Sequence, residues 1–314
     1  MDAAILLEKA RNGSEYAAAR CARRLDDRDP KMLALLPEIF NARQGAQLIG
    51  LTGNPGAGKS TLTNRIIRSY RSMGHRVAVI AVDPSSPFTG GAILGDRVRM
   101  QEHSGDTGVF IRSVATRGVL GGISHSTRDL VALFDHLGYD RIIIETVGVG
   151  QDEIDIAFTV ETNIVVCLPG TGDGVQMIKA GLLETADIFV LNKADHPEAK
   201  RAIAQLEKLV SWSQVRTAEN VVWSVPVCAT IATQGEGVAA LIAQVDAHHV
   251  HRETVGNTEG RATLRRRRWT EEIVLSELQA RARLALDGKD LNASVNPYEL
   301  AQSVLEQILG SSRD

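Results

Sequence analysis

Short runs of apolar, often β-branched residues alternate with longer segments of helical periodicity through the middle of the chain. These runs are QLIGLTG (47–53), RVAVIAVD (76–83), GVFIRSVA (108–115), DRIIIET (140–146), NIVVCLPG (163–170), ADIFVLNK (186–193) and VVWSVPVCAT (221–230). Because the runs are apolar over most of their length and do not alternate, they predict strands that are buried on both faces. The pattern therefore indicates an α/β fold with a mainly parallel sheet and helices on both of its faces.

Helical periodicity dominates both ends of the chain. Near the N-terminus an Ala-rich amphipathic stretch covers Glu15–Leu25, and a second apolar-periodic segment follows Pro30. Near the C-terminus an amphipathic stretch runs over 269–286, and Asn296 followed by Pro297 predicts the start of a further helix. We therefore predict a helical N-terminal extension over 1–45, a central α/β domain over 46–250 and a helical C-terminal arm over 251–314.

Composition narrows the class of protein. The chain has 314 residues, of which 44% are hydrophobic and 23% are charged, and this excludes a disordered or fibrous protein. A net charge of −3 gives no electrostatic case for binding nucleic acid. The longest apolar runs, such as Val77–Val82, fall far below the roughly 18 residues that a membrane helix needs. Glu8, Lys9 and Arg11 interrupt the apolar N-terminal stretch, so we expect neither a membrane segment nor a signal peptide.

The cysteines form an odd, scattered set. They are Cys21, Cys167 and Cys228. Because their spacing does not match that of metal ligands, the set predicts reduced thiols in a cytoplasmic protein.

A phosphate-binding motif, G-x-x-x-x-G-K-[ST], falls directly after the first predicted strand and directly before a predicted helix. Its residues are Gly53, Asn54, Pro55, Gly56, Ala57, Gly58, Lys59 and Ser60, and Thr61 follows. Glycines let consecutive backbone N–H groups wrap a phosphate, while Lys59 would neutralise the β- and γ-oxygens of a nucleotide. The Ser60 hydroxyl is a candidate Mg²⁺ ligand. The motif thus predicts a P-loop nucleoside triphosphatase.

Carboxylates end two of the predicted strands. Asp83 closes the second strand and Glu145 the fourth. Because parallel sheets bind ligands beyond the carboxyl ends of their strands, both side chains are candidates for holding Mg²⁺ directly or through water. Glu145-Thr146-Val147-Gly148 has the shape of a D-x-x-G switch with Glu in place of Asp, and Gly148 offers an N–H to a γ-phosphate. The sequence leaves open which carboxylate acts in catalysis and which ligates the metal.

An N-K-x-D motif follows the sixth predicted strand. Asp195 would accept hydrogen bonds from both N1–H and the exocyclic amine of guanine, and adenine has no such pair of donors. The aliphatic stem of Lys193 can lie along the base, and Asn192 would brace the surrounding loops. This spacing favours a guanine nucleotide. Weaker candidates for a backbone contact to the guanine O6 are Cys228, Ala229 and Thr230.

Several segments taken together resemble the MeaB/ArgK family of G-protein chaperones, which belong to the SIMIBI class of P-loop GTPases. The segments are GNPGAGKST (53–61), AVDPSSPFTGGAILGDRVRM (81–100), ETVGVGQ (145–151), LPGTGDGVQMIKAG (168–181) and LNKAD (191–195). The likeness extends over about residues 45–240, and the second segment is much more specific to this family than the P-loop.

The resemblance implies an acidic set around the metal. Asp96 would join Asp83 and Glu145 in that set, approaching from switch I in one nucleotide state. With Lys59, these three carboxylates make up the candidate catalytic residues. Gln151 would end switch II.

A third switch is also implied by the resemblance, over residues 169–179. It would couple the nucleotide to a partner through Asp173, Gln176 and Lys179. The chain departs from the usual family pattern here, because Gly174 and Val175 stand where the family usually has Glu and Leu.

Members of this family attend adenosylcobalamin-dependent acyl-CoA mutases such as methylmalonyl-CoA mutase. The resemblance therefore implies Mg²⁺-dependent GTP hydrolysis that is slow alone and accelerated by the mutase. It implies a role in gating cofactor delivery and in protecting or reactivating the mutase, and a homodimer built through the C-terminal helices. We expect no cobalamin to bind to this chain itself, because its sequence lacks a D-x-H-x-x-G motif.

Other P-loop classes offer alternatives. A nickel-type metallochaperone GTPase would need a His/Cys cluster, and we interpret His248, His249 and His251 as a solvated helix end, because Cys and carboxylate partners at ligand spacing are missing. A kinase linked to amino-acid transport would need a separate amino-acid site, which the sequence does not reveal. A protein-targeting GTPase would call for a Met-rich region, and the chain has five methionines. We interpret the run Arg265–Arg268 as a solvated or dimer-edge face.

Overall fold

The computed structural model describes residues 1–83, 101–103, 105–115, 125–146, 152–170, 180–214, 223–254, 258–287, 289 and 295–310. Within these ranges the apolar runs of the central region form strands. The strands are β1 (Gln47–Gly53), β2 (Val77–Asp83), β3 (Val109–Ala115), β4 (Arg141–Glu145), β5 (Thr162–Cys167), β6 (Ile188–Asn192) and β7 (Val227–Thr230).

These strands make one parallel sheet in the order β3-β2-β4-β1-β5-β6-β7, which confirms the predicted fold class. β1 lies between β4 and β5. The chain moves from β1 towards one edge and, after β4, crosses to the other side of β1. The carboxyl end of β1 therefore lies where the direction of winding reverses, and such a point is where open α/β sheets bind their ligands.

Helices precede the sheet, connect its strands and follow it. They are α1 (Ala3–Arg11), α2 (Glu15–Asp26), α3 (Pro30–Leu33), α4 (Leu36–Asn41), α5 (Lys59–Ser72), α6 (His125–His136), α7 (Asp152–Thr159), α8 (Ala180–Thr185), α9 (Ala199–Gln214), α10 (Val238–Thr254), α11 (Thr258–Leu286) and α12 (Pro297–Gly310). A short 3-10 turn covers Gln101–His103.

The N-terminal helices pack on one face of the sheet through α6. Leu6, Leu25, Met32 and Ile39 are buried in the same hydrophobic cluster as Phe134 of α6. Side chains of this size leave water only if another apolar surface covers them, and α6 provides that surface. Residues 1–45, which the sequence presents as an extension, thus share a core with the sheet.

The opposite face is covered by α5 and α10. Leu62 and Ile66 of α5 pack with Leu241 and Val245 of α10 over the β1 residue Ile49. This packing fixes α5, and therefore the loop that precedes it, against the carboxyl end of β1. The fold positions the phosphate-binding motif in this way.

The chain divides into two compact units, Met1–Thr258 and Glu259–Asp314. The helix α11 begins at Thr258, well before Trp269, where the sequence predicted its start. Arginine and glutamate favour helix, and the ion pair between Arg267 and Glu271, one turn apart at 2.9 Å, adds to that preference. Among the described residues, no helix has both the length and the apolar character needed to cross a bilayer.

Candidate nucleotide-binding site

The loop between β1 and α5 adopts a conformation that glycine makes possible. Gly53 has a φ of 133°, and a Cβ added there would lie 2.1 Å from the Val166 carbonyl oxygen of β5. Gly58 has a φ of 84°, and a Cβ there would lie 2.4 Å from the Asn192 side-chain nitrogen. Only glycine allows both the left-handed backbone and these close approaches. The spacing of the motif is therefore a requirement of the fold as well as of phosphate binding.

Lys59 begins α5 and reaches back over its own loop. Its buried side-chain nitrogen donates hydrogen bonds to the carbonyl oxygens of Gly53, at 2.7 Å, and of Asn54, at 3.1 Å. The N-terminal end of α5 opens towards the same loop, and a helix N-terminus attracts anions. Pro55 and Gly56 are exposed at the tip of the loop, while Thr61 is half-buried in the first turn of α5. The ammonium group and the helix end together make this loop a candidate phosphate site.

Glu145, at the end of β4, is held by two hydroxyl groups of α5. The Ser60 hydroxyl donates to Glu145 Oε1 at 2.6 Å, and the Thr63 hydroxyl donates to Glu145 Oε2 at 2.9 Å. The carboxylate is only 4% exposed. The structure thus brings together two predicted metal-site residues, Ser60 and Glu145, and adds Thr63, which sequence reasoning missed. The signal that could have found Thr63 is its position three residues after Ser60, on the same face of α5.

Asn192, at the end of β6, connects three loops. Its side-chain nitrogen donates to the Ala57 carbonyl oxygen at 2.8 Å. Its side-chain oxygen accepts from the Thr230 hydroxyl and from the Ala232 N–H, each at 3.1 Å. The bracing role expected of this asparagine therefore has a geometric basis.

The rest of the N-K-x-D motif faces solvent. Lys193 and Asp195 are both exposed, and Lys193 has a φ of 58°, an uncommon left-handed conformation for a side chain other than glycine. The Ala194 N–H donates to the Thr230 carbonyl oxygen at 3.0 Å. This bond ties the motif to the end of β7, so both segments lie on one edge of the site.

The loop after β7 is fastened to α5 by a residue that sequence reasoning also missed. Arg65 donates to the Ala232 carbonyl oxygen at 2.9 Å and to that of Thr233. Of the weaker base-site candidates, Cys228 is half-buried, Ala229 is exposed and Thr230 is buried. No short sequence pattern connects Arg65 to a loop more than 160 residues away, so only the fold could reveal this contact.

Several predicted site residues fall outside the described residues. Asp83 ends β2, next to β4, but its side chain is not among those described. The others are Asp96, Gly148, Gln151, Asp173, Gln176 and Lys179.

The interpretation of the histidine group as a solvated helix end is wrong for His248. This side chain is 2% exposed, and its Nδ1 lies 2.9 Å from the Thr162 hydroxyl oxygen. His248 is buried because α10 packs against β5 and because the Trp223 ring covers it at 4.8 Å. Its neighbour His249 lies beside Glu161, whose hydrogen bond raises the pKa of that imidazole. Within the described ranges, no three His, Cys, Asp or Glu side chains cluster as metal ligands would.

The parallel sheet, the P-loop and the N-K-x-D segment on one edge of the site define a P-loop GTPase. The chain belongs to the family described as "Methylmalonyl Co-A mutase-associated GTPase MeaB", whose model matches residues 20–287. The resemblance drawn from the sequence motifs is therefore confirmed.

Individual relatives agree with this assignment. A protein of Pyrococcus horikoshii is 41% identical over 311 residues, which cover 97% of this chain and 98% of the relative. The GTPase ArgK of Escherichia coli is 43% identical over 193 residues, covering 60% of this chain and 58% of the relative. A solved structure described as a LAO/AO transport system kinase has a TM-score of 0.68 and 27% identity, and the match covers 98% of this chain and 97% of that one.

Proposed function

We propose that this protein is a Mg²⁺-dependent GTPase that gates the delivery of adenosylcobalamin to a B12-dependent acyl-CoA mutase and protects or reactivates that mutase. The observation that carries the proposal is the continuous set of contacts from the P-loop to Glu145 on one side and to Asn192 on the other. The family's description, which names methylmalonyl-CoA mutase, supports the choice of partner.

The phosphates of the nucleotide would be bound by the P-loop. Lys59 already lies over the loop, so it would exchange its carbonyl partners for the β- and γ-oxygens without a large movement. Backbone N–H groups from Gly56 to Ser60 would point at the same oxygens, because the loop leads into the N-terminus of α5. These groups bind and orient the triphosphate for attack by water.

The donor set at the end of β4 fits Mg²⁺. The ion prefers hard oxygen ligands, and the Ser60 hydroxyl and Glu145 carboxylate oxygens meet there at 2.6 Å. Ser60 and Glu145 would hold the ion, with Asp83 and Asp96 as further candidates. When bound, Mg²⁺ would neutralise charge on the phosphate oxygens.

Base choice would rest on Asp195. The replacement Asp195→Asn should weaken GDP binding and strengthen binding of xanthosine diphosphate, because the amide nitrogen can donate to the carbonyl oxygen that xanthine carries in place of the guanine amine. Glu198→Gln, a change close by in the same loop, serves as a matched control and should leave this preference unaltered. Equal loss of both nucleotides in D195N would count against the guanine site.

The partner would act on the switches. Because the sequence provides no evident arginine finger or water-orienting glutamine, we expect slow hydrolysis by the chain alone and faster hydrolysis with the mutase bound. Asp173, Gln176 and Lys179 would carry the signal between the nucleotide and the mutase. GTPase rates measured with and without methylmalonyl-CoA mutase test this, and a fast rate that no mutase alters would contradict it.

The C-terminal helices would join two copies of the chain. Ile273, Leu275 and Leu284 on α11, with Leu305 and Leu309 on α12, are exposed apolar side chains that a dimer would cover. Truncation after about residue 260 should yield a monomer by light scattering. A truncated protein that is still a dimer would contradict this part of the proposal.

A second candidate function comes from the solved relative described as a transport system kinase. It would transfer the γ-phosphate to an amino acid such as arginine instead of to water. Incubation with labelled GTP and arginine distinguishes the two functions, because phosphoarginine forms only in the kinase and free phosphate is the product of the GTPase.

A further inference from the structure

Thr63 has no role in any motif of the sequence, yet it touches the centre of the candidate metal site. Its side chain is fully buried on α5, three residues after Ser60. Its Oγ1 donates to Glu145 Oε2 at 2.9 Å, while Ser60 Oγ donates to Oε1 at 2.6 Å. The two hydroxyls thus hold both oxygens of one carboxylate.

The direction of this hydrogen bond is unusual for a threonine within a helix. A threonine hydroxyl in a helix usually bonds back to a carbonyl oxygen in the preceding turn of its own helix. The Thr63 hydroxyl instead reaches from α5 across to the end of β4. The hydroxyl of this fully buried side chain therefore contacts the candidate metal-site carboxylate.

The contact with Thr63 matters because the residue at position 145 is glutamate and not aspartate. Relative to the aspartate of a D-x-x-G switch, glutamate has one more methylene group and therefore one more torsion to fix. Ser60 holds Oε1 and Thr63 holds Oε2, so two hydroxyls of one helix restrict rotation about the terminal torsion of Glu145, which is broad in glutamate. Both bonds are present before any ligand binds, and residues that orient a metal ligand in this way support a metal site.

We propose that Thr63 is a positioning residue that fixes the Glu145 carboxylate for Mg²⁺ and so sets the Mg²⁺ concentration at which the protein retains a guanine nucleotide. This inference rests on the proposed function as a Mg²⁺-dependent GTPase. Thr63 does not touch the nucleotide or the metal in this account, and it acts through Glu145.

The test is a titration of a fluorescent GDP analogue on the full chain with MgCl₂, and with EDTA as the metal-free reference. Thr63→Val keeps the shape and removes the donor, Thr63→Ser keeps the donor, and Thr162→Val removes another fully buried hydroxyl far from the P-loop. A hydrogen bond to a charged group contributes enough to predict about a tenfold rise in half-saturating Mg²⁺ for T63V. We expect T63S to return to within about threefold of the wild-type value and T162V to match it.

The possible outcomes distinguish a failure of this inference from a failure of the proposed function. A T63V protein with wild-type Mg²⁺ dependence, or one that loses GDP equally in MgCl₂ and EDTA, overturns the positioning role. Wild-type GDP binding that ignores Mg²⁺ likewise overturns the inference, whereas wild-type GTP hydrolysis that is equally fast in MgCl₂ and in EDTA overturns the proposed function. If T63V does not fold, Thr63→Cys takes its place as a variant with a weaker donor, and an unchanged Mg²⁺ dependence there overturns the inference equally.

Discussion

The Asn192 side chain joins the N-K-x-D segment to the P-loop, because its amide nitrogen donates to the Ala57 carbonyl oxygen at 2.8 Å. Its oxygen simultaneously accepts from Thr230 and Ala232 in the segment that starts at the end of β7. Asn192 is 2% exposed, so water cannot replace these bonds. The ends of β1, β6 and β7 are therefore held at fixed distances by one side chain.

We expect Asn192→Ala to weaken GDP binding by roughly 10- to 100-fold, since removing the amide leaves its buried hydrogen-bond partners unsatisfied at a cost of about 1–3 kcal/mol. Fluorescence titration with a GDP analogue measures the change. Asn163→Ala is the matched control, because Asn163 is also buried and donates to the Thr185 carbonyl oxygen at 3.0 Å, away from the P-loop. N163A should lower stability yet bind GDP normally. Equal GDP affinity in both variants would show that Asn192 does not hold the loops.

Gly53 and Gly56 should respond very differently to alanine. At Gly53 the new Cβ would meet the Val166 carbonyl oxygen at 2.1 Å, whereas at Gly56 nothing lies within 4 Å. We expect Gly53→Ala to lower the free energy of unfolding by more than about 3 kcal/mol, since backbone must move, and Gly56→Ala by about 1 kcal/mol from its positive φ alone. Urea denaturation of the two variants tests this. Similar losses would mean that the contact with β5 does not constrain the loop.

Arg65 should contribute to nucleotide affinity although it lies outside every motif. Removing its hydrogen bonds to Ala232 and Thr233 in Arg65→Ala frees the loop that follows β7, and we expect GDP binding to weaken about tenfold. Arg68→Ala is the control, because the ion pair between Arg68 and Glu102 is exposed and such pairs contribute little. We expect R68A to remain within about twofold of wild type. Calorimetric titration with GDP gives both values, and an R65A affinity equal to that of R68A would refute the role.

Asp129 on α6 should make stability depend on pH. Burial raises the pKa of this carboxyl from 3.8 to about 6, and the Arg28 guanidinium opposes the rise only in part. Because the folded protein binds this proton more tightly than the unfolded chain, the stabilisation is complete below pH 3.8 and is lost as the pH rises through about 6. Asp129→Asn does not titrate, so between pH 4.5 and 7.5 the wild type should lose about 2 kcal/mol relative to D129N. Urea denaturation at both pH values measures this, and parallel changes in the two proteins would contradict it.

The sequence predicted the sheet and the P-loop well because both follow from local patterns. A short apolar, β-branched run such as Ile142–Ile144 favours a strand buried on both faces, and β4 contains this run. The pattern did not predict the burial of His248, because three histidines near the end of a helix are typical of an exposed surface. Only the tertiary structure shows that Trp223 and Thr162 of β5 contact His248. The pattern also could not show that residues 1–45 share a core with α6, since an amphipathic helix does not specify which surface covers it.

By itself the sequence predicted the fold class from the alternation of apolar runs with helical segments. It predicted the phosphate loop and a preference for guanine from residue types at fixed spacing, each within its own strand-loop-helix unit. Only the tertiary structure decided which distant side chains support that loop. Thr63 and Ser60 meet Glu145 across more than 80 residues, and Arg65 meets Ala232 across 167. Such contacts depend on strand order and on the packing of α5 over β1 and β4, which no local pattern contains. Local sequence therefore supplies the functional groups of the site, and the fold decides which distant side chains hold them in place.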